Sequence, residues 1–134
     1  MTEQYIGILS VVYSRLVGDN GKVYSFEPVN ETFLRLKETL ALNECDNLAP
    51  IKIALSDASG FADMQIFDES LSGLNSLAKL KYPVYNSNNV AVKTETIDNI
   101  CARLEITSID FLKIDVEGFE KEALIGASEL LKII

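Results

Sequence analysis

The chain has 134 residues, enough for one domain with a real core and too short for two. Its make-up, 48% apolar and 24% charged, is that of a globular protein and argues against disorder. A net charge of −8 opposes non-specific nucleic-acid binding, which needs Lys and Arg to displace counterions from phosphate. There is no histidine, which excludes a Ser-His-Asp triad, a histidine metal cage and a histidine general base. Acid–base work must fall to Asp, Glu, Lys or Tyr. Cys45 and Cys101 lie far apart and in no CxxC pattern, so neither a disulfide framework nor a zinc site is expected. The N-terminus has no charged start followed by an apolar stretch and a small-residue cleavage site, so no signal peptide is read. No apolar run reaches the ~18 residues of a membrane span. The expected setting is soluble, reducing and cytoplasmic, with no membrane or nucleic-acid partner.

From Thr2 to about Val17, Ile6, Leu9, Tyr13 and Leu16 recur at helical spacing, with Thr2 a candidate N-cap and Gly18 the stop. A strand is the competing reading, because Tyr5–Tyr13 is rich in β-branched and aromatic residues. Asp19-Asn20-Gly21 is a turn, and Lys22–Glu27 a short strand that Pro28 ends. Asn30 caps a helix to about Leu42, with Phe33, Leu36 and Leu40 inward. Ile51–Leu55 reads as a buried strand, Ser56–Gly60 as a turn, and Phe61–Phe67 as an antiparallel strand. Asp68–Asn89 is the least regular stretch, a long surface excursion of the kind that often forms a lid. Val90–Thr94 is a short strand, and Thr96 caps a helix over Ile97–Leu104. Ile109–Asp115 reads as a buried strand, and Gly118–Leu131 as a helix with Ala123, Ala127, Leu130 and Ile134 inward. This alternation predicts a single α/β domain over 1–134 with a mostly parallel sheet and helices on both faces.

Two of these strands end in acids, and open α/β sheets bind ligands at the carboxyl ends of their strands. Glu27 ends one. A carboxylate there can accept from both hydroxyls of a ribose, or simply stand solvated near a helix N-terminus, where the dipole favours it. Asp115 ends the other, followed by Glu117, Gly118 and Glu120. Asp115 and Glu117 are candidate active-site acids, while Glu120 reads better as a stabiliser of the following helix turn. The acids could instead hold Mg²⁺ or Ca²⁺ through oxygen, but nothing else in the chain completes such a site, and no metal is expected. Gly118 suits a tight strand-to-helix turn, and Gly126 a close helix contact. Asn43 is a C-cap residue able to take the left-handed conformation. Ser56 and Asp57 could meet an adenine edge, or form a plain turn. Lys113 can pair with a nearby acid and is given no chemistry.

The ordered set Val23-Tyr24-Ser25-Phe26-Glu27-Pro28, Asn43, Ala54-Leu55-Ser56-Asp57, Gly73 to Leu77, Thr96-Ile97-Asp98, Ile109 to Glu120 and Leu124-Ile125-Gly126-Ala127 resembles the FkbM family of S-adenosylmethionine-dependent methyltransferases. The resemblance runs from about Gly7 to the C-terminus. It implies the Rossmann-like class I methyltransferase fold, S-adenosylmethionine as cofactor, and methyl transfer to a hydroxyl on a sugar or natural product. It implies Glu27, with Pro28 beside it, as the ribose acid, Ala54, Leu55 and Ser56 at the adenine, and Asp115 and Glu117 lining the active site. Either acid is then the candidate base.

Family members begin with a strand and a D-x-G-A-N-x-G loop that cradles the methionine part of the cofactor. Here Gly7 matches only the last glycine, and the chain is expected to lack the first strand and the C-terminal strands. Unpaired strand edges invite association, so a marginal monomer or a homo-oligomer covering the gap is expected. Weak or absent cofactor binding is expected for the same reason. A truncated, non-catalytic interaction module is the alternative to an enzyme. A Mg²⁺-dependent phosphoryl-transfer domain of flavodoxin-like build is a weaker third, lacking a second acid cluster.

Overall fold

Gly7 starts the first helix. Its φ of 81° is left-handed, which favours glycine, and a Cβ there would stand 2.7 Å from Leu36 Cδ1, so the Leu36 side chain would have to shift. Its carbonyl accepts from the Val11 amide at 2.9 Å, and α1 (Ile8–Val17) runs on to Gly18. The helical reading of this segment holds over those residues. The buried side chains of α1 are Val11 and Ser14, whereas Leu9 is 53% and Leu16 76% exposed. The expected apolar stripe is therefore displaced. Polar ties line the inner face, with Ser10 Oγ 2.8 Å from Ser25 Oγ and the Ser14 hydroxyl bonded to Asn47 Oδ1.

The computed structural model describes residues 7–67, 87–116 and 118–132; the expected cap Thr2, most of the 68–89 excursion and Ile134 fall outside them. Contacts divide the chain into two compact units, Met1–Ile53 and Ala54–Ile134. In the first, β1 (Val23–Phe26) leads through α2 (Asn30–Leu42) to β2 (Leu48–Ile51), and the two strands pair in parallel with Val23 opposite Leu48 and Phe26 opposite Ile51. This is a strand–helix–strand unit, built as the turn and cap signals predict. Its core is Val11, Leu36, Leu40, Cys45 and Leu48, with Val23 against it. Asn30 is the first residue of α2 and Val29 its N-cap, one place earlier than expected. Asn43 does stop α2, its side-chain amide bonding Thr39 O at 2.8 Å, but at φ −106°. Glu44 takes the left-handed conformation instead, at φ 54°.

In the second unit, β3 (Ala54–Leu55) pairs in parallel with β5 (Ser87–Glu95), which pairs antiparallel with β4 (Gly60–Phe67). The expected Ile51–Leu55 strand is thus two strands in two sheets. Ile53 N bonds back to Ile51 O at 3.1 Å, a tight turn that breaks the run. Sheet order is β3-β5-β4, a mixed sheet, so among the described residues the α/β arrangement has two parallel pairings, β1–β2 and β3–β5, and one antiparallel pairing, β4–β5. Helix α3 (Ile97–Arg103) starts where predicted, with Thr96 Oγ1 accepting from Asn99 N at 3.1 Å. Ile100, 1% exposed, fills the core with Ile97 and Val92.

Residues 109–116 form no strand. Along 111–116 exposure alternates, with Phe111, Lys113 and Asp115 out and Leu112, Ile114 and Val116 half-buried, so the period-2 pattern is real. No other described residues offer this segment a ladder, and pattern without a partner does not make a sheet. The final helix is shorter than predicted: α4 spans Glu120–Ile125, and a 3-10 turn follows over Leu130–Lys132. Ala123 and Ala127 are fully buried. Gly126 packs so closely on β3 that a Cβ would come within 2.0 Å of Ser56 O.

Candidate functional site

The carboxyl end of β1 opens into a cavity of about 210 Å³ lined by Gly7, Ser10, Ser25, Phe26, Glu27 and, from α2, Thr32 and Leu36. The structure thus brings together two predicted site residues, Gly7 and Glu27. Pro28 stands half-buried between Glu27 and the cap of α2. The Glu27 backbone amide bonds Ile51 O at 3.1 Å, which fixes the strand end. Glu27 Oε1 accepts from the Val29 amide at 2.8 Å. Burial pushes the Glu27 carboxyl up to about 7, against the lowering effect of that amide. A carboxyl poised near neutrality beside a cavity is a site candidate on physical grounds. One of its oxygens is held by backbone, and Oε2 remains for a ligand hydroxyl.

Ala54, Leu55 and Ser56 lie together at the end of β3, all buried, at 5%, 6% and 6% exposure. The Ser56 amide bonds Glu95 O at 3.0 Å and its hydroxyl bonds Asp57 Oδ1 at 3.1 Å. The plain-turn reading of Ser56-Asp57 therefore accounts for its hydroxyl.

Asp115 sits on the irregular segment before α4 and is two-thirds exposed, with Oδ2 2.7 Å from Lys113 Nζ. The pairing anticipated for Lys113 is this one. Glu117 lies outside the described residues. Gly118, at φ 91°, makes the expected turn. Glu120 Oε1 accepts from Gly118 N at 3.1 Å and Val116 N at 3.2 Å. These amide bonds, with that of its own backbone first, hold its carboxyl below the usual range. Glu120 is thus a turn stabiliser, as read.

Two features escaped the sequence reading. One is the Ser10–Ser25 hydroxyl pair in the cavity wall; Ser25, two residues before Glu27 in a strand, was the available signal. The other is Glu95, a buried carboxylate at the head of α3. It accepts from the Ser59 hydroxyl, from Asn99 Nδ2 at 3.0 Å and from Thr96 N at 3.1 Å, with Arg103 Nη1 3.7 Å from Oε2. Those bonds, Ser59's first, lower its pKa. Glu95 is fully engaged and anchors α3. Among the described residues, no group of three or more Cys, Asp or Glu is placed to hold a metal ion, and no helix is long and apolar enough to cross a membrane.

The family profile of the methyltransferase FkbM domain matches residues 3–134. Among curated proteins, the hexuronic acid methyltransferase AglP of Haloferax volcanii is 30% identical over 112 residues, covering 84% of this chain and 44% of that protein. The chain therefore spans less than half the length of that relative. No solved structure gives a significant match.

Proposed function

The chain belongs to the FkbM methyltransferase family, and on that premise we propose that it serves an S-adenosylmethionine-dependent O-methyltransferase acting on a hydroxyl of a sugar or similar small molecule. The observation that carries this reading is the Glu27 cavity. It stands at a strand's carboxyl end, where α/β sheets bind ligands, and its acid has one oxygen fixed and one available. Its volume of about 210 Å³ falls below the ~300 Å³ at which sites for whole drug-sized ligands begin. It suits one part of a cofactor, the ribose. A sugar acceptor is supported by the name of AglP, a hexuronic acid methyltransferase.

The residues present fit the cofactor in kind. Gly7 keeps a side chain out of the cavity wall, and Glu27 and the neighbouring hydroxyls can bind a diol; by family resemblance Ala54, Leu55 and Ser56 are the expected adenine-side residues. When bound, S-adenosylmethionine supplies a methyl group that its sulfonium already makes electrophilic. The protein's task is then to align an acceptor oxygen and take its proton. Asp115 or Glu117 does the latter. Lys113 engages Asp115 Oδ2, leaving Oδ1 to accept the hydroxyl proton. Two buried free thiols, Cys45 and Cys101, support a reducing, cytoplasmic setting.

One observation favours a second reading, a methyltransferase-like chain that binds without catalysis: Asp115 stands in solvent rather than in a closed site. Calorimetric titration of S-adenosylhomocysteine into the chain, with Glu27→Ala as control, tests the first claim. Micromolar binding abolished by the substitution supports a cofactor site, and an acceptor screen then separates enzyme from binder. A folded chain with no binding sinks the assignment for this polypeptide.

A further inference from the structure

The Glu27 cavity has a second polar wall that the carboxylate does not explain. Ser25 lies on β1 two residues before Glu27, and Ser10 on the first turns of α1, with the two hydroxyl oxygens 2.8 Å apart and both residues lining the cavity. Residues two apart on a strand share a face, so Ser25 and Glu27 address the same space. A hydroxyl carries one proton and two lone pairs. One proton closes the Ser10–Ser25 bond, so the pair still offers one proton and several lone pairs. An ionised carboxylate offers lone pairs only. The two walls are therefore complementary: one accepts, the other also donates. Without ligand the hydroxyls satisfy each other, and among the described residues no buried side-chain nitrogen or oxygen lacks a partner. A ligand hydroxyl would meet a pair already positioned, with little ordering left to do.

We infer that Ser25, held by Ser10, is a further cofactor-binding and specificity-determining residue, reading one hydroxyl of a ribose diol while Glu27 reads the other. This rests on the proposed cofactor reading and adds a discrimination that the carboxylate alone does not supply. A site built to hydrogen-bond a hydroxyl rejects the analogue that lacks it, because its own polar groups are then left unpaired. Ser10 acts through Ser25, fixing the direction of its hydroxyl.

The test uses the whole chain and three probes in calorimetry: S-adenosylhomocysteine and its 2′-deoxy and 3′-deoxy analogues. The variants are Ser25→Val, which removes the hydroxyl and keeps a β-branched side chain, and Ser25→Thr, which restores the hydroxyl at the same bulk. Ser25→Val is expected to weaken S-adenosylhomocysteine roughly 5–20-fold, about one hydrogen bond's worth, and to erase the penalty for one deoxy analogue only. Ser25→Thr is expected to recover both affinity and discrimination. If Ser25→Val binds all three probes as the wild type does, while Glu27→Ala still abolishes binding, the inference fails and the cofactor reading stands. Equal losses in Ser25→Thr and Ser25→Val likewise overturn it, since bulk and not the hydroxyl would be responsible. A folded wild type that binds no probe removes the cofactor reading and this inference together.

Discussion

Glu27 and Asp115 occupy matching places in the sequence, each closing an apolar run just before a turn into a helix. The molecule treats them differently. Glu27 ends a strand with a ladder partner, and burial beside a cavity raises its carboxyl to about 7. Asp115 ends a segment with no ladder among the described residues and shares a solvent-exposed ion pair with Lys113. Residue type and spacing do not decide how such an acid behaves; its surroundings do, desolvated beside a cavity for Glu27 and open to water for Asp115.

The largest effect should come from removing the buried acid. Glu27→Ala is expected to weaken S-adenosylhomocysteine by two orders of magnitude or more, roughly 3 kcal/mol, as for a charged hydrogen-bonding partner. The same residue sets a pH signature. Its folded value of about 7 lies above the ordinary 4.5, so the folded chain keeps a proton that the unfolded chain has lost. Its contribution to stability is complete below pH 4.5 and disappears as pH rises through 7, by up to ~3 kcal/mol in all. Ligand affinity should move the other way, rising towards pH 7 as the accepting carboxylate forms. Urea melts and titrations across pH 5–8 check both slopes, and Glu27→Gln should flatten both. Next in size is Gly7→Ala, which places a methyl 2.7 Å from Leu36 Cδ1 at a left-handed φ. A loss of about 1–3 kcal/mol in denaturant unfolding is expected, together with weaker binding in the shared cavity. Thr96→Ala removes the cap of α3 and should cost about 1 kcal/mol, read from the same unfolding curves. At the far end of the scale, Asp115→Asn should change stability by less than about 0.5 kcal/mol, because exposed ion pairs contribute little. A larger loss would show that the two acids are more alike than their surroundings indicate.

Much of this was legible. Turn residues and caps located the end of α1, and β1, α2, β4 and the start of α3, to within a residue or two, because glycine, proline and Thr96 act through local backbone geometry. The family and the Glu27 candidate followed from the Ser25-Phe26-Glu27-Pro28 segment and the Asp115 region. What local rules could not reach were the long-range choices. Ile51–Leu55 looked like one strand, and a turn at Ile53 with two different sheets divided it. On α1 the inner face carries Val11 and Ser14, with Ser10 and Ser14 meeting Ser25 and Asn47 across the unit, while Leu9 and Leu16 of the expected stripe are exposed. Residues 109–116 carry every local mark of a strand, and only the tertiary context withholds the ladder.

The junction of α3 with the end of α4 carries a consequence for dynamics. The Asp98 amide donates to Gly126 O at 2.9 Å, and the Asp98 carboxylate in turn accepts from Glu129 N at 2.9 Å and Leu130 N at 3.0 Å. One residue thus clasps two stretches of chain in both directions, over a glycine with no room for a methyl. These three amides should exchange with deuterium in a single shared opening event, at one rate.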